Sequence, residues 1–213
     1  MIRVLSVFFQ RELTKIFCNI FSLVLPLFFF LAILFLLAVL SDDQSGENIY
    51  SHTWVVLVLM ALIGGNKQLE KNMQNGEVES LFLLGISLPV FVLGHIIMFW
   101  CVSLMPLILL VACIGKIMST PPANYLDLCI GSFSLAALAT LSSSITTPIK
   151  KNNFMGPLLM IPIGIPLFVL LGMGHNAIDA QPFSFLQGAY LLMIAPICTL
   201  VGASALKQEM SSR

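Results

Sequence analysis

The sequence predicts an all-α integral membrane protein with six transmembrane helices. Its 213 residues are 58% hydrophobic and only 9% charged, which is too little charge to cover the surface of a soluble domain of this size. Apolar runs of about 20 residues, the length that crosses roughly 30 Å of hydrocarbon, recur along the chain. Threading these runs as six spans places all but one of the ten Lys and Arg residues on the same side.

That side is assigned to the cytoplasm, because short loops rich in Lys and Arg stay inside. An even number of spans leaves both termini there as well. The residues on the inner side are Arg3, Arg11, Lys15, Lys67, Lys71, Lys150, Lys151, Lys207 and Arg213, whereas Lys116 lies outside.

The first elements are an interfacial helix and two spans. Residues 1–17 interleave basic and apolar side chains, which predicts an amphipathic helix in the inner interface rather than a cleaved signal. Residues 20–40 are the first predicted span. After a polar, acidic outer loop, residues 49–65 are the second.

The third span is harder to place. The apolar stretch 81–115 is too long for one crossing and too short for two with a turn. Pro89 and Gly94 offer a break. We therefore expect a helix over residues 78–88 at the inner surface and a third span over 89–115.

The last three predicted spans are residues 125–145, 154–174 and 183–206, and a short tail follows. Asp127 lies near the outer end of the fourth span, where we expect water to reach it. Since no soluble domain lies between these runs, we expect residues 1–213 to form a single transmembrane domain.

The docking loop, residues 67–79, lies between the second and third spans and reads KQLEKNMQNGEVE. Asn75-Gly76 is a turn signal, and acidic residues just after it favour the positive end of a following helix. Its candidate contact residues are Lys67, Lys71, Asn75, Gly76, Glu77 and Glu79. A soluble ATPase could bind such a loop; a solvated loop with no partner is the alternative.

Several chemistries are disfavoured. The chain has no Gly-x-x-x-x-Gly-Lys-Ser/Thr phosphate loop, so it does not hydrolyse ATP in the usual way. The spans lack midplane carboxylates, which argues against coupling to an ion gradient and against a membrane enzyme. The five cysteines are scattered without metal-ligand spacing, so no metal site is expected. A partner ATPase is the better energy source.

Two features are candidates for a transport path. His95 is a polar residue in the inner third of the third span, where the alternative is a hydrogen bond to a neighbouring helix. Pro157, Pro162 and Pro166 are expected to kink the fifth span. Because irregular backbone is not tolerated against lipid, that helix should be buried in protein or line a cavity. A static kink is the alternative.

The outer face carries His52, Trp54 and His175. The two histidines are candidate haem contacts, with ordinary interfacial histidines as the alternative. Trp54 is placed like an interfacial aromatic anchor, and it belongs to the same candidate outer site.

Four stretches stand in the order and spacing of a known permease family. They are Arg11-Glu12-Leu13 with Pro26-Leu27-Phe28-Phe29-Phe30, Asn75-Gly76-Glu77-Val78-Glu79-Ser80-Leu81, Trp100 with Pro106-Leu107, and Ile161-Pro162-Ile163-Gly164-Ile165-Pro166. Over nearly its whole length the chain resembles the CcmB family. These are the haem exporter B subunits of the cytochrome c maturation system, and they are ABC-2-type permeases.

The resemblance has departures and implications. Asn75 stands where the family has Asp, Phe99 where it has His before Trp100, and Gly164 where it has Tyr. The resemblance implies a cytoplasmic ATPase subunit that faces Gly76 and Glu79. It also implies further membrane subunits and a periplasmic haem chaperone, with haem as a substrate rather than a tightly bound cofactor. Trp100, Pro106, Pro162 and Pro166 then join His95 as candidate path residues.

The leading hypothesis is therefore a permease subunit for haem delivery to c-type cytochromes, driven by a separate ATPase. One alternative is a scaffold that couples ATP hydrolysis to release of a haem chaperone without moving substrate. Another is an ABC permease for a different small or lipid-like substrate. The expected location is the bacterial inner membrane, or the mitochondrial inner membrane for an organelle-encoded chain, and no nucleic acid partner is expected.

Overall fold

The described part of the chain is helical. The computed structural model describes residues 28–33, 35–36, 53–62, 64, 69, 72–73, 75–83, 85–117, 125–146, 155–175 and 181–212. No strand occurs among them. Residues 28–33 and 35–36 are helical and lie inside the predicted first span, whereas the predicted interfacial helix 1–17 lies outside the described residues.

The helices follow the predicted apolar runs. Their bounds are α1 Thr53–Leu62, α2 Glu77–Leu83, α3 Leu88–Phe99, a π-helical turn Trp100–Leu104, α4 Met105–Ile117, α5 Tyr125–Thr146, α6 Met155–His175 and α7 Gln181–Ser212. Within the described ranges, the stretches long and apolar enough to cross a membrane are Leu88–Cys113, Leu126–Thr146 and Phe185–Ser211. Thr53–Leu62 and Leu158–Leu170 are apolar but shorter.

The break before the third predicted span lies earlier than expected. The inner helix ends at Leu83 rather than at residue 88. Gly85 adopts φ +83°, its N–H donates to Phe82 O at 3.0 Å, and Ile86 N–H donates to Leu81 O at 3.2 Å. This pair of bonds is a Schellman C-cap, which only a residue tolerant of positive φ completes at low cost.

Pro89 and Gly94 therefore do not interrupt the helix. Pro89 lies in the first turn of α3, where its missing N–H has no helical partner to lose. Gly94 is buried in the middle of that helix.

Helix α5 is the centre of the bundle. It contacts α3, α4, α6 and α7, and 78% of its central window is buried, against 39% for Leu88–Cys113 and 22% for Phe185–Ser211. Its hydroxyl side chains donate to carbonyls three or four residues earlier in the same helix; examples are Thr140 to Ala136 O and Ser144 to Thr140 O. Small side chains whose donors are satisfied locally let neighbouring helices approach closely.

Three helices meet at Gly202 of α7. A Cβ added there would lie 3.2 Å from Ser144 Oγ and 3.3 Å from Val92 Cγ1. At the other end of α3, Trp100 Nε1 donates to Ser132 Oγ at 2.9 Å. Because Val92 pairs with Ser144 and Trp100 with Ser132, α3 runs antiparallel to α5.

The proline-rich helix is continuous. Pro162 and Pro166, which were expected to kink the fifth span, lie inside α6 without ending it. The two prolines are four residues apart, so both lie on one face, and the hydrogen bonds they remove are confined to that edge. Tyr190 of α7 donates to Ile163 O at 3.0 Å and ties the two helices together.

Helix α7 is longer than the sixth predicted span. It continues to Ser212, six residues past the predicted end of the sixth span at Leu206. Its 32 residues correspond to about 48 Å at 1.5 Å per residue, well beyond the roughly 30 Å of a bilayer core. The predicted short tail is therefore helical as far as Ser212; Glu209 within it is buried, as is Leu206 at the predicted end of the span.

Candidate functional site

The Asn75-Gly76 turn of the docking loop is present as predicted. Gly76 has φ +69° and donates to Met73 O at 3.1 Å, and Ser80 N–H donates to Gly76 O at 3.0 Å. Helix α2 starts immediately after the turn, with Glu77 and Glu79 in its first turn. A positive φ at this position favours glycine over other residues.

The docking loop has a buried side and an exposed side. Asn75 and Ser80 are exposed and Glu79 is half-buried, whereas Glu77 is only 7% exposed. Two other candidate contact residues of the loop, Lys67 and Lys71, lie outside the described residues. The side chains that α2 and the preceding residues bury are Leu69, Asn72, Met73, Val78 and Leu81.

The exposed side of α2 has a polar part and an apolar part. Phe82 is 48% and Leu83 85% exposed, at the end of the helix opposite to Asn75. A partner that binds α2 would therefore meet polar groups at its N-terminus and apolar side chains at its C-terminus. Of the predicted contact residues that the structure describes, Glu77 is the one it turns inward.

His95 is buried in the bundle, at 1% exposure. Its ring stacks on Phe91 at 6.2 Å between centroids, and its Nε2 has no hydrogen-bond partner among the described residues. His95 follows Val92 by one helical turn and lies on the same face of α3, which meets α5. Because α5 runs antiparallel to α3, Thr140, one turn before Ser144 in the sequence, lies at the corresponding level of α5. The alternative interpretation of His95 was a hydrogen bond to a neighbouring helix. Its Nε2 makes no such bond to any of the described residues.

Trp100 and Pro106 flank the π-helical turn. Trp100 is half-buried, its indole bonds Ser132, and its ring meets Phe133 edge-on at 5.5 Å between centroids. Met105 N–H donates to Trp100 O, five residues back. The sequence analysis selected Trp100 and Pro106 but did not predict the π-helical turn between them. A proline in the middle of a span could have indicated such a turn, because its ring disturbs the preceding helical turn.

The structure places Pro162 and Pro166 away from the interior. Both are exposed, and so are Ile161, Ile165 and Val169 on the same side of α6. The inward side of this helix carries Met160, Gly164 and Leu167 instead. Within one chain the prolines therefore do not lie beside His95 or Trp100.

The two histidines of the predicted outer site cannot be placed from the described side chains, so that site stays a prediction. His52 lies outside the described residues, and of His175 only the helical backbone is described. The third member, Trp54, is 7% exposed, so its side chain is buried within the chain. Among the described residues there is no group of three or more His, Cys, Asp or Glu side chains that could hold a metal ion.

Sequence reasoning missed several buried polar side chains. Asp127, expected to be reached by water, is 5% exposed, and Gln187 is 2% exposed with Oε1 lacking a partner among the described residues. The hydroxyls of α5 are the larger group. They are Ser132, Ser134, Thr140, Ser142, Ser143 and Ser144, each 3% exposed or less. The run LATLSSSIT is the least apolar part of any predicted span. Its serines and threonines could have indicated buried hydroxyls in this helix.

Comparison with known families decides the identity. Residues 3–207 match the CcmB protein family. The chain belongs to the CcmB family. The resemblance stated from the sequence motifs is therefore confirmed.

Individual CcmB relatives cover nearly the same length. Heme exporter protein B of Haemophilus influenzae is 26% identical over 188 residues, which is 85% of this chain and 83% of the relative. Heme exporter protein B of Shigella flexneri and that of Escherichia coli K12 are each 25% identical over 210 residues, 93% of this chain and 96% of theirs. These bacterial relatives and the apolar helices together indicate a membrane location.

Proposed function

We propose that this chain is the membrane permease subunit of an ABC-type complex that acts in haem delivery for c-type cytochrome biogenesis. The observation that carries the proposal is membership of the CcmB family over residues 3–207. The relatives are named as haem exporters. The energy comes from ATP hydrolysis by a separate cytoplasmic subunit, and the chain itself is not an enzyme.

The proposed topology has six spans with both termini in the cytoplasm of a bacterial cell, as the positive-inside bias predicts. It puts α2, the end of α7 and the docking loop on one side of the membrane. The Asn75-Gly76 turn and Glu79 then face the ATPase, and the exposed Phe82 and Leu83 extend that surface. Glu77 supports the loop from inside.

Burial of the path candidates keeps the scaffold alternative open. His95 is 1% exposed, and α3, α5 and α7 are in direct contact beside it. A haem is far larger than any gap such packing leaves. Direct transport therefore requires α3 to separate from α5, or a path between this chain and another membrane subunit. A scaffold that only transmits ATPase movement to a haem chaperone requires neither.

The first test is purification of the tagged chain in mild detergent. A soluble ATPase subunit is expected to accompany it. A preparation that supports cytochrome c assembly with no nucleotide-hydrolysing partner contradicts the proposal.

The second test is a charge reversal on α2. Glu79→Lys is expected to reduce ATP turnover of the complex to that of the free ATPase subunit, because the exposed face loses its carboxylate. Gln208→Lys introduces the same side chain at an exposed position of α7, with a change in net charge of one unit rather than two, and is the control. Equal turnover in the two variants removes α2 from the ATPase contact.

A further inference from the structure

The third predicted span contains a change of helix type in its middle. In the turn Trp100–Leu104 the backbone hydrogen bond reaches back five residues, from Met105 N–H to Trp100 O, rather than four. Such a turn holds one more residue than a regular α-helical turn. Pro106 follows after Met105, and its ring would press on the carbonyl of Val102 in a regular helix. The wider turn relieves that contact.

The two halves of this span differ in how much of their side-chain surface is buried. Before the turn, Val92, Ile96 and Phe99 are at most 2% exposed, and Phe99 also meets Gly64, where an added Cβ would lie 3.2 Å from its ring. After the turn, Leu107, Ile108 and Val111 are still buried at 2–6% exposure, whereas Leu109 is 59% exposed and Cys113 is exposed. The half before the turn is therefore the more closely packed of the two.

The closely packed half is joined to the docking loop by a short connection. Only Gly85, Ile86 and Ser87 are described between α2 and α3, and the Schellman bonds fix that connection. A displacement of α2 is therefore passed to α3 over a few residues.

One side-chain contact holds the turn against α5. Trp100 Nε1 donates to Ser132 Oγ at 2.9 Å, and Ser132 Oγ in turn donates to Cys129 O at 2.9 Å. The indole also meets Phe133 edge-on. Trp100 is the first residue of the turn, so it cannot keep these contacts if the turn changes its winding.

We propose that the Trp100–Leu104 turn is a hinge between the two halves of this span, and that Trp100 is the positioning residue that holds it in the present state through Ser132. The proposal rests on the proposed ATP-driven function, since it takes the ATPase as the source of the movement. Rewinding the turn by one residue rotates one half against the other by about 100° and shifts it by about 1.5 Å. That movement breaks the Trp100–Ser132 bond and turns the face that carries His95 away from α5.

The first experiment follows Trp100 directly. The chain has two tryptophans, so Trp54→Phe leaves Trp100 as the sole site for 5-fluorotryptophan, and ¹⁹F NMR of the full chain in lipid nanodiscs gives one resonance. Ser132→Ala is expected to move this resonance. Ser134→Ala, which is equally buried but bonds only Ile130 O, is expected to leave it in place. Indistinguishable spectra for the two variants overturn the role of Ser132.

The same label tests the movement in the complex. With the ATPase subunit bound, ATP is expected to shift the resonance toward its position in Ser132→Ala. A complex that turns over ATP with no change at Trp100 overturns the hinge while leaving the proposed function intact. Failure of any ATPase to bind the wild-type chain contradicts the proposed function instead.

A deletion pair provides an independent measurement. Removing Val102 takes the extra residue out of the turn and leaves both halves on their original faces, so this variant is expected to fold and bind the ATPase but to lose ATP-driven cytochrome c assembly. Removing Leu110 from the regular helix α4 rotates everything beyond it by about 100° and is expected to abolish folding. Full activity of the Val102 deletion overturns the hinge.

Discussion

Replacing Gly202 by valine tests the contact where three helices meet. An added Cβ would lie 3.2 Å from Ser144 Oγ, 3.5 Å from Ser144 Cβ and 3.3 Å from Val92 Cγ1. Contacts of 3.0–3.4 Å are tighter than nine in ten real ones, so a neighbour must move. Val92 is 0% exposed, and the Ser144 hydroxyl is held by a 2.7 Å bond to Thr140 O. Neither can move without losing packing or a hydrogen bond.

The expected cost follows from these contacts. Forcing extra methyl groups into a packed site costs about 1–3 kcal/mol, and losing the Ser144 bond adds about 1 kcal/mol. Valine gains at most about 1 kcal/mol of helix propensity over glycine. We expect Gly202→Val to lower the free energy of unfolding by about 2 kcal/mol. Gly202→Ala adds the Cβ alone and gains about 1 kcal/mol of helix propensity, so it is expected to lower the free energy of unfolding by less.

The control lies in the same helix. Gly188 of α7 has no atom within 4 Å of an added Cβ, so Gly188→Val isolates the propensity effect. The free energy of unfolding is measured for both variants by SDS titration in mixed micelles. Equal values for Gly202→Val and Gly188→Val would refute the three-helix contact, and with it the register that places His95 beside Thr140.

Three further predictions address other contacts. Gly76→Val forces a β-branched residue to φ +69°, which costs about 1–3 kcal/mol of conformational strain. The variant is expected to co-purify less ATPase, whereas Asn75→Ala, at the exposed neighbouring position, should co-purify as much as the wild type. Tyr190→Phe removes the bond to Ile163 O and should lower the free energy of unfolding by about 1 kcal/mol; an unchanged value would mean that α6 and α7 do not depend on it. His95→Leu removes a buried nitrogen that has no partner among the described residues. It should raise the free energy of unfolding by about 1–3 kcal/mol while lowering cytochrome c assembly; unchanged assembly would exclude His95 from the function.

The positions of the helices could be predicted because each apolar run is long and ends at a polar loop. The predicted fourth span, 125–145, lies within α5, and the fifth, 154–174, differs from α6 by one residue at each end. The break before the third span was misplaced because Pro89 was given more weight than Gly85. A proline in a first turn is compatible with a helix, whereas a glycine with positive φ ends one.

The buried faces could not be predicted from the same pattern. In a soluble helix the polar residues mark the exposed side, but a membrane helix is apolar on nearly every side. Pro162 and Pro166 were therefore expected to face the interior, and they are exposed; Asp127 was expected to meet water, and it is buried. Which side of such a helix faces its neighbours depends on close fit between helices rather than on a contrast between polar and apolar side chains.

Close fit also explains why the least apolar predicted span is the most buried of the three membrane-length stretches that the structure describes. Lipid is as apolar as leucine, so burying leucine between helices gains little, whereas small residues let backbones approach and increase van der Waals contact. Helix α5 supplies serine and threonine whose donors are used within the helix itself, so burying them leaves no donor unpaired. Two of its hydroxyls have a second role: Ser144 meets Gly202, and Ser132 accepts the indole bond of Trp100. The first contact fixes the Leu88–Phe99 half of the third predicted span and the second lies at its π-helical turn, so movement in this span requires both breaking the Trp100–Ser132 hydrogen bond and separating the packed face of α3 from α5.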